Sequence, residues 1–395
     1  MYVSLRSAVI LLVLSAGLQG QVPWLKGKTE PRTGCPHCQG LGAKPCRKHA
    51  KRVFRWFEEG VTRFCSEAAS CNVCGGALYV DCKHCTAPGV EKALEKRRAV
   101  VAAWLEGRKK RVEKLIRHEV LHGASKHFEL VCDLKPMMVG KVRYSTHMLL
   151  HLYLERLEDL YREFVTTMQS PKGRRPNRAE VFLWRDGRDQ ALAALKFCGM
   201  GSKGAGVKLM GSESVYTMRR IKNLIRNDED LHRNVVHNVA HLLLAGTPME
   251  NWIGKLKGGW VDAGVGHYFE FKLDGKCTNY CYQETATNPN FKGGKWLVPV
   301  RKMLFSRKRP SFAAVSMKNT DELTPKEHAL SFSWVHFLLE GDLVPKDRGK
   351  KFMVLVESLK KKVPTREALR KAYGIGPLAF EEKWKEWVLA TYPSR

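Results

Sequence analysis

Two neighbouring segments of the chain decide the fold predicted for its larger part. Residues 231–246 read LHRNVVHNVAHLLLAG, and residues 258–270 read GGWVDAGVGHYFE. In the first segment, His237 and His241 lie four positions apart among valine, alanine and leucine, which predicts a helix with both imidazoles on one side. A helix uses this spacing to offer two nitrogen ligands to a tetrahedral zinc ion. Two ligands alone do not make a site.

Together the two segments resemble the zinc-dependent gluzincin metallopeptidases, the thermolysin-like or peptidase MA-like group. Members of that family carry HExxH on one helix and a motif close to W-x-x-E-G-x-A-x-Y-x-E on a second helix. The second segment matches this motif at Trp260, Gly264, Tyr268 and Glu270, with Gly266 in the small-residue position. The resemblance implies an α+β fold over roughly residues 127–392, in which a sheet-bearing lobe precedes the motif helices and a helical lobe follows them.

Two functional positions depart from the family pattern. Asn238 stands where the general-base glutamate would be, and Ala263 stands where the glutamate zinc ligand would be. An amide does not accept the proton of a zinc-bound water, so that step would slow by roughly two to four orders of magnitude. Ala263 has no donor atom, which leaves a catalytic zinc with two protein ligands where three are normal. We therefore expect a catalytically inactive peptidase homologue that acts in binding or scaffolding, with a vestigial site at His237, Asn238, His241 and Ala263.

An active zinc metallopeptidase with a different ligand set is the first alternative. His267 and Asp262 lie close to Ala263 and could complete a site with the two helical histidines. Residues 118–122 also read HEVLH, a literal HExxH. Because Gly123 is expected to stop a helix there and residues 127–134 read as a strand, the context favours a chance match.

A cysteine-rich repeat precedes this domain. The spacing Cys-x2-Cys-x7-Cys-x2-His recurs 36 residues later as Cys-x2-Cys-x7-Cys-x2-Cys. The eight candidate ligands are Cys35, Cys38, Cys46, His49, Cys71, Cys74, Cys82 and Cys85. Such paired spacing predicts structural zinc, and a histidine in a fourth place suits a metal better than the alternative of disulfides. The sequence leaves open whether each copy binds its own ion or the copies exchange pairs.

The first copy, CPHCQGLG, resembles the CxxCxGxG repeat of DnaJ-type zinc-binding domains. That resemblance implies zinc-stabilised folding and protein binding, and it does not imply a chaperone role because no J-domain is visible. Among the other cysteines, Cys277 and Cys281 could pair, and Cys132 is expected in the core. The sequence assigns no histidine partner to any of them, Cys65 included, and so indicates no thiol nucleophile.

The chain is strongly cationic, with a formal net charge of +29 from 68 Lys and Arg against 39 Asp and Glu. The basic residues are scattered along the whole length, which is typical of a generally cationic surface rather than of a nucleic-acid groove. A polyanion-binding protein is thus the second alternative function. An acidic polysaccharide, a lipid surface, an acidic protein or, less favoured, a nucleic acid would fit this charge.

The domain organisation predicted from these patterns has four parts. Residues 1–20 read as a signal peptide, with Arg6 before a short apolar run and small residues after it, and they predict an exported protein. Residues 30–89 form the double zinc-knuckle module, residues 90–126 a charged helical connector, and residues 127–395 the gluzincin-like domain. No later stretch is apolar enough to predict a membrane span. Within the large domain, residues 142–168 predict an amphipathic helix, and the glycine-rich residues 199–211 predict a flexible turn.

Overall fold

The computed structural model describes residues 35–395 except 39–40, 50, 86–87, 170–177, 203, 212, 222, 248, 250 and 281–290. The predicted signal peptide and Cys281 lie outside the described residues. Helices hold 55% of the chain and strands 11%, which confirms a mixed helical and sheet fold with a cysteine-rich amino-terminal region. None of the described helices combines the length and the apolar character that a membrane crossing requires.

The strands that the structure describes lie between residues 43 and 219. They are β1 (Ala43–Pro45), β2 (Phe64–Cys65), β3 (Tyr79–Asp81), β4 (Leu121–Ala124), β5 (Phe128–Cys132), β6 (Met137–Val139), β7 (Val142–Tyr144), β8 (Ala179–Trp184), β9 (Gly206–Leu209) and β10 (Val215–Arg219).

The helices continue to the carboxyl terminus. They are α1 (Lys51–Glu58), α2 (Ser66–Ala69), α3 (Pro88–Arg108), α4 (Lys114–Ile116), α5 (Thr146–Met168), α6 (Gly187–Ala193), α7 (Asp228–Ala245), α8 (Gly259–Asp274), α9 (Leu297–Met303), α10 (Phe312–Val315), α11 (Pro325–Glu340), α12 (Arg348–Lys360), α13 (Thr365–Tyr373) and α14 (Pro377–Thr391).

A mixed sheet of order β2-β4-β5-β8-β10-β9 forms the centre of the strand-bearing part of the chain. Strand β5 pairs in parallel with β8, and β8 in parallel with β10, while the other pairings are antiparallel. Alternate side chains of β8 face opposite layers. Val181 belongs to the large core cluster that includes α5, and Phe182 to a smaller cluster that includes Ile116 of α4. Both faces of this strand are covered, which explains its nearly continuous apolar sequence.

The cysteine-rich segment is joined to this sheet. Strand β2 pairs antiparallel with β4, with Cys65 opposite Gly123, and so adds an edge strand from residues assigned by sequence to the zinc module. A second pairing, β1 with β3, joins the two copies of the cysteine repeat, with Ala43 opposite Asp81. The predicted boundary at residue 89 therefore falls between elements that share one sheet.

Helices α7 and α8 carry the two segments with which the sequence analysis began, and both are helical as predicted. Asn227 caps α7 through its side chain, which accepts from the backbone N–H of Asp230. At the other end, the buried ammonium of Lys360 donates to the carbonyls of Leu244, Ala245, Thr247 and Met249. Because the last carbonyls of a helix lack partners within it, this lysine fixes where α7 ends.

Two local predictions were wrong. The glycine-rich run contains strand β9, because the edge of β10 offers unpaired backbone groups that residues 206–209 satisfy. Around the literal HExxH, the helix does not continue to Gly123. It ends at Ile116, since Arg117 adopts a left-handed conformation (φ 65°), and the motif then enters β4.

Candidate functional site

The eight predicted metal ligands form two compact groups, and each group draws on both copies of the repeat. Cys35 and Cys38 of the first copy meet Cys82 and Cys85 of the second. The other group combines Cys46, His49, Cys71 and Cys74. The copies thus exchange pairs, which settles the alternative that the sequence left open.

The pairing of β1 with β3 causes this exchange. It is extended by backbone hydrogen bonds from Cys46 N–H to the Leu78 carbonyl (2.7 Å) and from Cys82 N–H to the Gly42 carbonyl (2.9 Å). Gly42 has φ 69°, a left-handed conformation that glycine adopts without strain, so the chain can turn back beneath the cluster. The antiparallel register therefore brings each first pair of cysteines against the second pair of the other copy.

The interatomic distances suit a metal cage better than disulfides. The Sγ atoms of Cys38 and Cys85 are 3.2 Å apart, and those of Cys35 and Cys82 are 3.9 Å apart. A tetrahedral zinc with bonds of about 2.3 Å places sulfurs about 3.8 Å apart, whereas a disulfide requires about 2.05 Å. Hydrogen bonding with Cys38, followed by burial, raises the pKa of Cys85 to about 12. In the same group burial would raise the pKa of Cys35, but hydrogen bonds outweigh it and lower the pKa to about 7. Thiolates this close repel one another, so a cation among them would favour ionisation of all four.

The helical pair His237 and His241 lies between α7 and α8 and is sealed from solvent, with relative exposures of 1% and 0%. Their Nε2 atoms are 3.3 Å apart. Carboxylates lie within ion-pair distance of the opposite ring nitrogens: His237 Nδ1 is 3.2 Å from Glu270 Oε2, and His241 Nδ1 is 3.0 Å from Asp262 Oδ1. Each imidazole thus has a buried acid behind it and the other imidazole in front.

Gly266 is the residue of α8 that allows this close approach. A Cβ at this position would lie 2.5 Å from His241 Nε2 and 3.1 Å from His237 Cε1. Since non-bonded carbon and nitrogen atoms do not approach so closely, any side chain here would push the imidazoles away. The small-residue position of the motif therefore serves the contact between the helices.

Further groups complete the buried cluster. His237, His267 and Glu270 place one potential ligand atom each within 4.8 Å of one another. His267 Nε2 lies 3.1 Å from Nδ1 of His328 on α11. His267 was an alternative ligand in the sequence analysis and Glu270 a motif match only. His328 was missed, because no local pattern connects it with residues 61 positions away.

The charges of this cluster follow from burial and from these contacts. Burial lowers the pKa of His237 and of His267 to about 4, so both are neutral at physiological pH. Burial alone would raise the pKa of Glu270, but its contacts with His237 and His267 lower it to about 2. Glu270 Oε1 also accepts from the backbone N–H of Thr278 (2.6 Å) and from Asn279 Nδ2 (2.8 Å). Neutral imidazoles beside an ionised carboxylate are a donor set that could bind a divalent ion.

The two departures from the family pattern do not contribute to this cluster. Asn238 donates its amide to the carbonyl of Asn234 on the same helix, at 2.8 Å. Ala263 is 1% exposed and belongs to the hydrophobic core. No carboxylate replaces the general base at position 238.

The literal HExxH does not assemble into a metal site of its own. His118 Nε2 contacts Asp189 Oδ2 at 2.9 Å, whereas His122 Nε2 contacts Glu113 Oε1 at 3.1 Å. The motif lies in a turn and a strand, where residues four apart do not share a helical face. His118 instead meets Asp133 and Asp189 in a separate group of potential ligands.

Comparison with known proteins adds no assignment to this geometry. No family model matches the sequence, and a search of curated proteins returns no significant match.

Proposed function

We propose that this protein is an exported, catalytically inactive relative of the gluzincin metallopeptidases that acts as a binding or scaffold protein. The observation that carries the proposal is that the helical histidine pair between α7 and α8 is buried and closed to solvent. A hydrolytic zinc keeps one coordination position open for water and substrate. His237 and His241 are 1% and 0% exposed, and Asn238 uses its amide within the helix.

We further propose that zinc occupies the two cysteine clusters and stabilises the module. Four-thiolate and three-thiolate, one-imidazole sets are typical of structural zinc, and their coordination is closed. Because the ligands come from both copies, binding holds β1 against β3 and stabilises the fold of the module. Export rests on the sequence of residues 1–20 alone.

The pairing of clusters can be tested through the metal content of double variants, measured by mass spectrometry of bound zinc. Cys35→Ser with Cys82→Ser removes two ligands of one cluster and should release one ion per chain. Cys35→Ser with Cys46→Ser removes one ligand from each cluster and should weaken both. If Cys35→Ser/Cys46→Ser instead releases one whole ion and Cys35→Ser/Cys82→Ser weakens both, each copy of the repeat binds its own ion.

Catalytic inactivity is tested with a His237→Ala/His241→Ala double variant. We expect no casein cleavage by the wild-type chain and the same zinc content in both proteins. Chelator-sensitive cleavage of casein that disappears in the double variant would overturn the proposal. Circular dichroism of both proteins shows whether the variant is folded and the comparison valid.

A second candidate, an active metallopeptidase with an altered ligand set, is favoured by one observation. His237, His267 and Glu270 are placed as a three-ligand group at the point where the family has its metal. This candidate predicts an ion that is lost in His267→Asn but retained in the Cys35→Ser/Cys82→Ser variant. Cleavage of casein by the wild-type chain must then also depend on His267.

Polyanion binding remains the third candidate because of the net charge of +29. A cavity of about 760 Å³ is lined by basic side chains that include Arg108 and Arg178. Both arginines form ion pairs with glutamates: Arg108 lies 2.8 Å from Glu180, and Arg178 lies 2.9 Å from Glu129. The cavity is therefore a network of ion pairs rather than a site built for an anion.

A further inference from the structure

We propose that a further metal ion binds where the cysteine-rich segment meets the large domain, with Cys65 Sγ, His147 Nε2 and His151 Nε2 as ligands. The ion would be a divalent transition metal that accepts mixed thiolate and imidazole ligands, of which zinc is the common example. Cys65 ends β2, and the two histidines lie one turn apart at the start of α5. This site is independent of the function proposed above.

The three ligand atoms converge on one point. His147 Nε2 is 2.9 Å from His151 Nε2 and 3.7 Å from Cys65 Sγ, and all three atoms lie within 4.8 Å of one another. A tetrahedral zinc sets nitrogens about 3.3 Å apart and nitrogen and sulfur about 3.6 Å apart. The observed distances differ from these values by a few tenths of an ångström, so small side-chain movements would complete the site.

In both imidazoles the ring nitrogen opposite the proposed ligand atom contacts a polar group, as is usual for metal-binding histidines. His151 Nδ1 is 2.8 Å from Thr62 Oγ1, and His147 Nδ1 contacts the Glu67 carboxylate. An acceptor at Nδ1 fixes the tautomer that leaves the Nε2 lone pair for a metal. The two supporting residues, Thr62 and Glu67, belong to the same segment as Cys65, so this segment supplies one ligand and both supports.

The elements that carry the ligands are fixed by backbone pairing and packing. Cys65 is opposite Gly123 in the β2–β4 pairing, and Ser145 caps α5 by accepting from the N–H of Met148. His151 is stacked on Trp56, with ring centroids 5.3 Å apart. A site built on rigid elements keeps its geometry before the ion arrives.

The alternative to a metal site is a catalytic thiol, in which Cys65 is the nucleophile and His147 and Glu67 assist it. A nucleophile must be reached by its substrate, yet Cys65 is 1% exposed. That chemistry also gives no role to His151, which is 0% exposed and points Nε2 at the same place. The side chain of His147 is 18% exposed, so the three ligands are not all sealed from solvent. These features favour a metal.

Metal content of the full chain tests the site. Cys65→Ser and His151→Asn should each release one zinc ion that the wild type retains. The matched control is Cys198→Ser, which removes another buried thiol that lies outside every described ligand group. An unchanged zinc content in Cys65→Ser, or an equal loss in Cys198→Ser, would overturn the proposal.

A measurement on the wild-type chain covers the case in which Cys65→Ser does not fold. The protein is loaded with ¹¹³Cd and examined by NMR, where each additional thiolate ligand shifts the metal resonance downfield. The proposal predicts a resonance from an ion with one sulfur ligand, upfield of the resonances from the four-sulfur and three-sulfur clusters. Resonances from those two clusters without a one-sulfur resonance would refute it.

Discussion

Replacing Gly266 by alanine tests the contact between α7 and α8 most directly. The new Cβ would lie 2.5 Å from His241 Nε2 and 3.0 Å from its Cδ2, close to 1 Å inside normal contact. Forcing an extra carbon into a filled core costs about 1–3 kcal/mol. Alanine also favours a helix over glycine by about 1 kcal/mol, which offsets part of this loss. The net change expected in the free energy of unfolding is a loss of up to about 2 kcal/mol.

Gly107→Ala is the matched control, because Gly107 is a helical glycine of α3 with no atom within 4 Å of the added Cβ. This variant should gain roughly 0.5–1 kcal/mol from helix propensity alone. The difference between the two variants in urea unfolding then isolates the steric cost at the imidazoles, about 1–3 kcal/mol. Equal stabilisation by both alanines would refute the tight packing of His241 against α8.

Two further changes test the end of α7 and a hydrogen-bonded carboxylate on α5. Lys360→Met leaves the carbonyls at the end of α7 without their buried donor and should lower the free energy of unfolding by about 3–5 kcal/mol. The control, Lys361→Met at the exposed neighbour, should change it by at most about 0.5 kcal/mol. Similar urea midpoints for the two variants would contradict the capping role of Lys360. Glu158→Gln tests pH dependence: burial raises the pKa of Glu158, but hydrogen bonds from the His127 side chain, the Ser125 hydroxyl and the His127 backbone N–H outweigh it and lower the pKa. The stabilisation is therefore present above the unfolded-state pKa of about 4.3 and is lost as the pH falls through the lower folded value. The difference in urea midpoint between wild type and Glu158→Gln should shrink from pH 7 towards pH 3, and a difference independent of pH would exclude this linkage.

The sequence predicts the elements whose periodicity is local. Helices α5 and α7 and strand β5 follow from the spacing of apolar residues, because a local sequence pattern shows which residues each element buries. The connector predicted over residues 90–126 is helical only as far as Ile116, because residues 121–124 form β4. The cysteine repeat identified all eight ligands but not their pairing, since the pairing depends on the register of β1 against β3.

The parts that were missed depend on contacts between distant segments. Cys65 meets His147, which lies 82 residues away, only because β2 joins the sheet that α5 covers. His328 reaches His267 because α11 packs on α8. Gly206 belongs to a strand although its neighbourhood resembles a turn; a Cβ there would lie 2.8 Å from the Tyr216 ring. A glycine that admits a neighbouring ring looks in the sequence like a glycine that permits a turn.

Strand β9 bears directly on whether the α7–α8 cluster needs an ion. The pKa values of Asp262 and Glu270 are lowered, so both carboxylates are ionised beside neutral imidazoles. The buried cluster therefore carries negative charge. Such charge requires compensation. Glu270 obtains it from the amide donors that follow α8, while Asp262 accepts from Trp252 Nε1 (2.9 Å) and Thr320 Oγ1 (3.1 Å).

A cation of the protein itself also contributes to the electrostatics of this cluster. Lys208, on β9, acts on this cluster: after burial and the nearer partners, its charge contributes to the lowered pKa of His237, His241 and Asp262. A positive charge that acts on the cluster opposes a divalent cation there, because like charges repel most strongly where water is excluded. Strand β9, which the sequence predicts as a turn, thus carries a positive charge that weighs against a divalent ion in this cluster, as the proposed inactive homologue requires.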